Sequence, residues 1–168
     1  MPVLKRLQSY LDANKIPYEL VSHPRAYTAH DVAQTLDVPG KLVAKVVMVK
    51  ADNYFVMTLL PSTWRVDLKR LRDVLEARDV RLATEAECAN LFPDCQVGTM
   101  PPFGNLYGLE VYVDQLLTED ESIIFEAGTY VGAMKLRLNT RPRKCLNFAT
   151  PLEVFTQLRH YSPVALGT

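Results

Sequence analysis

Lys45 lies in the run LVAKVVMV, residues 42–49, where every neighbour within two positions is apolar. A lysine is rarely enclosed in this way without a use for its charge, because an ammonium taken out of water must find a partner or give up its proton. On strand parity Lys45 shares a face with Val43 and Val47, so its head rises from an apolar floor. One reading is a lysine at a sheet margin, with its stem covered and its head in water. The other is a lysine in a pocket, acting as a clamp for a phosphate or carboxylate or as a base of depressed pKa; the clamp needs the fewer assumptions.

A second candidate is QVGTMPPFGNLYG, Gln96–Gly108. Pro101 and Pro102 fix two φ angles, while Gly98 and Gly104 reach backbone conformations closed to other residues. Such a backbone can hold amides in place, for example those of Gly98 and Thr99, for an oxyanion or a phosphate. Proline and glycine more commonly build a tight surface turn. On such a turn Met100, Phe103 and Tyr107 would be exposed, which favours a loop folded over a pocket as one of its walls. In a third stretch, EAGTYVGAMKL at residues 126–136, Gly128 and Gly132 mark either a bulge close to a ligand or a hairpin turn, and taken alone the turn is favoured.

Lys135, Arg137, Arg141, Arg143 and Lys144 form a local basic cluster, which reads as a nucleic-acid contact or as a solvated charged face. The chain has no P-loop, no G-x-S-x-G and no H-E-x-x-H, and His23, His30 and His160 lack metal-ligand spacing. Cys88, Cys95 and Cys145 are odd in number and form no C-x-x-C, so they read as reduced structural thiols, with a Cys-His pair as the minor reading. No metal and no cofactor are expected.

The elements that must carry these residues follow from periodicity and capping. Leu4, Leu7 and Leu11 predict an amphipathic helix ending near Asn14, and YELVS a short strand. Thr28 with Asp31 caps a helix closed by Pro39-Gly40, and two β-branched runs around Ala51-Asp52-Asn53 predict a hairpin. Asp67 and the pair Thr84 and Glu87 open two more helices, with VRLA as a strand between them. LEVYVD, SIIFEA and AMKLRLN are strand-like, and Thr150-Pro151 with Glu153 predicts a last helix to about His160. Consecutive strands without intervening helices indicate α+β, with about six or seven strands flanked by helices. With 168 residues, 48% of them hydrophobic, the chain is expected to be a single domain over residues 1–168. Lysine plus arginine and aspartate plus glutamate are 19 each, so no global field draws the chain to a polyanion. The opening MPVLKRLQSYLDANK suits neither a signal peptide nor a membrane span, so the cytoplasm is the expected location.

Lys45 in its apolar strand, VGTMPPFG at residues 97–104 and AGTY at residues 127–130 occur in the order and approximate spacing of one family. The chain resembles the YbaK/ProRS-editing-domain family, the aminoacyl-tRNA deacylases. The resemblance implies a single YbaK-like α+β domain with a central, largely antiparallel or mixed sheet, here of the free-standing type. It implies hydrolysis of the ester between a wrongly attached amino acid and the terminal adenosine of a tRNA. Lys45 then matches the lysine that grips the phosphate or ribose of the tRNA end, and Gly98, with Thr99 beside it, the backbone contact to the reacting group. Tyr27 and Thr28 fall in the segment bounding the amino-acid pocket, and Gly128 and Thr129 in its second wall. Met100, Pro102, Phe103, Gly104 and Tyr130 complete the substrate-binding set, with Lys135, Arg137, Arg141, Arg143 and Lys144 for nucleic acid. Many relatives carry histidine where this sequence has the bulkier Tyr130, which still offers a hydroxyl.

That activity requires no side-chain nucleophile, since an activated ester needs only a positioned water and a stabilised oxyanion. Because a missing methylene is worth only about 1–3 kcal/mol to a synthetase, the expected substrate is a small amino acid, alanine, cysteine or serine. The resemblance implies aminoacyl-tRNA as partner, with an aminoacyl-tRNA synthetase as a second candidate, and no membrane. The alternative is a module of the same fold that binds a tRNA end or nucleotide-like ligand without turnover, and a third reading is a thiol hydrolase.

Overall fold

The computed structural model describes residues 3–117 and 121–137 in full, together with the backbone of residues 118 and 165–167. Helix α1, Lys5–Ala13, buries Leu7 and Leu11, which lie four apart on one face. Helix α2, Ala29–Thr35, begins with a capping box in which Thr28 Oγ1 accepts the Asp31 amide and the Asp31 carboxylate accepts the Thr28 amide. It stops before Pro39-Gly40, because Asp37 enters the left-handed region at φ 53°. Asp67 caps α3, Leu68–Leu75, and Thr84 with Glu87 boxes α4, Glu85–Leu91. Each cap supplies an acceptor for an amide the helix cannot satisfy, worth about 1 kcal/mol.

Among the described residues nine strands follow in chain order: β1 Tyr18–Ser22, β2 Ala44–Ala51, β3 Tyr54–Pro61, β4 Trp64–Val66, β5 Val80–Leu82, β6 Glu110–Val113, β7 Ser122–Thr129, β8 Gly132–Arg137 and β9 Ala165–Gly167. The architecture is α+β, and the strands are divided rather than continuous. One sheet has the order β5-β2-β3-β6, with β3 and β6 parallel; a second has the order β1-β8-β7; and β4 pairs with β9. The two larger sheets touch through one parallel bridge, Val43 with Ile124. Strand β4 has no signal in the sequence, since three residues are too few for a period of two to declare itself.

The main core lies between the sheets and α1, with Leu7, Leu11, Met57, Leu59, Phe103, Phe125 and Met134 at its centre. A smaller cluster under α2 joins Val32 and Ala33 to Val43, Ile124 and Ala133, and a third under α3 holds Val49, Val56 and Leu71. The predicted helix at 150–160, Arg141, Arg143, Lys144, Cys145 and His160 lie outside the described residues. Among the described residues, no helix is long and apolar enough to cross a membrane.

Gly104 is the tightest point of the loop that precedes β6. A Cβ there would sit 2.5 Å from Val111 Cγ2 and 2.7 Å from the Leu109 carbonyl oxygen, and the Leu109 amide is itself bonded to Gly104 O. A backbone atom held in this way cannot give way as a flexible side chain can. Gly104→Ala should therefore lower the unfolding free energy by about 1–3 kcal/mol, read from a urea melt; an unchanged midpoint would contradict the packing described.

Candidate functional site

The site is built where the two sheets part. Val43 and Ile124 pair in parallel and both pack beneath α2, so residues two further along each strand occupy adjacent register positions on that same face. Those residues are Lys45 and Glu126. The strands pair no further: past this point the β7 edge is taken by the Gln96–Thr99 turn, the Gly128 amide donating to Thr99 O and the Gln96 amide to Gly128 O. Lys45 and Glu126 therefore flank a gap between sheets.

Lys45 is half-buried and, among the described residues, has no hydrogen-bond or ion-pair partner. Its pKa is lowered, first by loss of water and then by the Arg65 guanidinium. The two like charges repel, and an anion between them would relieve that repulsion.

Glu126 is more deeply placed, 6% exposed, and its Oε1 has no hydrogen-bond partner. Burial, with the Asp31 carboxylate of α2 as a second cause, pushes its pKa up to about 8. It lies opposite Ala133 of β8, which in turn pairs with Val21 of β1. Two residues beyond Val21 is His23, also buried, whose Nδ1 lies 2.7 Å from Pro24 O. A carbonyl only accepts, so Nδ1 carries the proton, and Nε2 is a second buried atom without a partner.

The loop supplies backbone. Gly98 has φ 84° and lies exposed against the Tyr27 carbonyl. The Thr99 amide is not free as the sequence suggests: it donates to Gln96 O, the Thr99 hydroxyl does likewise, and the side chain is wholly buried. Of the two amides expected to be available, only that of Gly98 has no partner among the described residues. Gly128 is not the turn its sequence favours. It sits at an irregularity in β7 with φ 96°, and a Cβ there would lie 3.1 Å from Leu4 Cβ, so the close approach is to the start of α1. The β7–β8 turn falls instead at Tyr130 and Val131.

Tyr130 lies at the rim. Its ring lies 4.9 Å from that of Tyr27, itself 58% exposed, and the Arg25 guanidinium covers both at 5.6 and 5.3 Å. Its amide donates to Gln96 Oε1.

The sequence profile of the aminoacyl-tRNA editing domain matches residues 23–141. The chain belongs to the aminoacyl-tRNA editing domain family. This editing domain is 33% identical over 101 residues to the proline-tRNA ligase of Bacillus subtilis and 29% identical over 99 residues to that of Heliobacterium modesticaldum. Those stretches cover 58% and 59% of this chain and 17% of each ligase, so the chain spans a small part of the curated relatives it matches. Its fold also matches a crystal structure described as a candidate trans-editing enzyme for prolyl tRNA synthetase, with TM-score 0.76, 21% identity, and 97% and 96% of the two chains covered.

In the editing domain, contacts and hydrogen bonds join Tyr27, Gly98, Thr99, Gly128 and Tyr130 beside the end of β7. Thr28 caps α2, Thr129 ends β7, and Lys45 lies on β2 where it parts from β7. Met100, Pro102, Phe103 and Gly104 are buried behind the loop, and Phe103, 1% exposed, packs edge-on against Tyr10 and Phe125. Lys135 and Arg137 are exposed on β8 and line a shallow groove with Pro17, Tyr18 and Glu19. The thiols of Cys88 and Cys95 are both pushed up by burial, Cys95 to about 11, which keeps them protonated and unreactive. Sequence reasoning missed Arg65, Gln96 and Glu126. Glu126 carried the same signal as Lys45, a lone charge inside the apolar strand IIFEA.

A carboxyl with a raised folded pKa binds its proton more tightly in the folded chain, so its favourable contribution is complete below pH 4.5 and is lost as pH rises through about 8. Asp31 of α2 is the titratable group whose charge acts on it. Stability should fall across that window by at most about 1.4 kcal/mol per pH unit, and Glu126→Gln should flatten the fall in urea melts at stepped pH. An identical pH slope in the variant would refute the assignment.

Proposed function

We propose that this protein hydrolyses the ester of a small amino acid, of the alanine, cysteine or serine class, wrongly attached to a tRNA. The observation that carries the reading is Lys45, which has no partner among the described residues and sits at the parting of β2 and β7 in register with Glu126. The buried Oε1 of Glu126 is also unpartnered, while the Gly98 amide stays open on the adjoining turn. A phosphate of the tRNA end would meet Lys45 and Arg65. The ester carbonyl would lie against the Gly98 amide, where a donor held rigidly stabilises developing oxyanion charge without reorganising. No nucleophile is assigned, because a positioned water suffices for an ester of this kind. Size limitation would come from the backbone wall of the Gln96–Thr99 turn, which Met100 and Phe103 anchor from behind in the main core, and exposed Lys135 and Arg137 would meet the tRNA backbone.

The proline-tRNA ligases among the relatives make tRNA for proline the acceptor of choice, and a ligase of that kind a candidate partner. The stacking of Tyr130 on Tyr27 under Arg25 favours one second reading, a module that binds the tRNA end without turnover, since it presents ring faces to an incoming base.

The test is a deacylation panel of tRNA charged in turn with alanine, cysteine, serine and proline. Wild type should release at least one small amino acid well above the buffer rate, and Lys45→Ala should reduce kcat/KM by about 10- to 100-fold, the loss of one charge-assisted contact. Full activity in Lys45→Ala would sink the proposed role of that residue. Binding weakened by Lys45→Ala with no turnover on any charged tRNA would replace hydrolysis by the second reading.

A further inference from the structure

We infer that Glu126 is the receptor for the α-ammonium of the aminoacyl ester, so that the site separates a free aminoacyl end from one whose nitrogen is acylated. This rests on the function proposed above and adds a substrate group to it. Glu126 is 6% exposed, and a buried carboxyl oxygen without a partner is an expensive arrangement unless something completes it. Among the described residues nothing in its surroundings does. Lys45 holds the matching register position on β2, but no ion pair or hydrogen bond joins it to Glu126 among the described residues.

The missing partner must be a cation or a hydrogen-bond donor, and the charges around Glu126 favour the cation. Asp31 of α2 adds negative potential at the carboxyl, which resists ionisation in the empty site. An entering ammonium would reverse that balance, because it gains from both acids while giving the unsatisfied oxygen a charged donor. The face then has two poles, Lys45 with Arg65 for an anion and Glu126 with Asp31 for a cation. The end of a charged tRNA is itself dipolar, with phosphate on one side of the ribose and ammonium beyond the ester. A nitrogen blocked by an acyl group has no charge and more bulk, so it would leave the glutamate unpaired and desolvated. A glutamate acting instead as the base for water would serve both kinds of ester alike.

The experiment uses the full chain with one tRNA carrying the amino acid removed fastest in the panel, either free or N-acetylated. Wild type should prefer the free amine by about tenfold or more in kcat/KM, and Glu126→Gln, which keeps shape and removes charge, should bring the ratio towards one by losing rate on the free amine alone. Equal rates in wild type, an unchanged ratio in Glu126→Gln, or an equal loss on both esters would overturn the assignment, the last by assigning the carboxyl to water. Should wild type hydrolyse no charged tRNA, the binding of 3′-alanylamido-3′-deoxyadenosine and its N-acetyl form by calorimetry decides the point independently. A preference for the free amine that disappears in Glu126→Gln sustains the receptor, and equal binding of the two overturns it.

Discussion

The pairing of Val43 with Ile124 is the contact on which the rest of the arrangement turns. It is one bridge and not a ladder, so it fixes the relative height of two sheets without merging them. Had the strands continued to pair, the β7 edge beside Glu126 would have been closed by β2, and Lys45 would have been an ordinary position in a continuous sheet. Because they part, each contributes one charged side chain to the opening, and the Gln96–Thr99 turn takes over the β7 edge. Helix α2 covers the apolar residues on either side of the bridge and brings Asp31 over the same face. Fold and site thus share a cause, a sheet edge left unpaired by the partner strand and completed by a loop.

Local chemistry made much of this legible. Thr28 with Asp31, and Thr84 with Glu87, form the capping boxes their spacing implies, and the turn at Asp52-Asn53 joins β2 and β3 as the two β-branched runs require. Lys45 was visible because a charge inside an apolar run is costly wherever the run is buried on both sides. The same physics applied to Glu126, but the adjoining AGTY drew attention to backbone rather than to the acid beside it. Arg65 could not be found in this way. It is exposed on a three-residue strand, and only the return of the chain after β3 brings its charge near Lys45. Nor does periodicity tell whether seven strands form one sheet or two, because the division depends on a single non-local contact.

The loop that first suggested a pocket illustrates the limit of reading type without partners. Its apolar residues are buried as expected, yet Phe103 is enclosed with Tyr10 and Phe125 in the main core, so it anchors the loop to α1 and β7. The prolines and glycines therefore serve a wall whose outer surface is backbone. Thr99, predicted to offer its amide, spends that amide within the turn, and its carbonyl holds Gly128. What remains outward is Gly98, where the absence of a side chain leaves the peptide group accessible.

Gln96 ties these parts into one mechanical unit. Its carbonyl accepts from Thr99, its amide donates to Gly128 O, and its side-chain oxygen accepts the Tyr130 amide at 2.6 Å. Loop, bulge and hairpin turn are therefore cross-braced through one residue, with no independent hinge between the Gly98 peptide and the Tyr27–Tyr130 rim. In the function proposed above, an opening framed in this way would work as a fixed gauge, selecting by fit to a shape already present and diverting little binding energy to closing a lid.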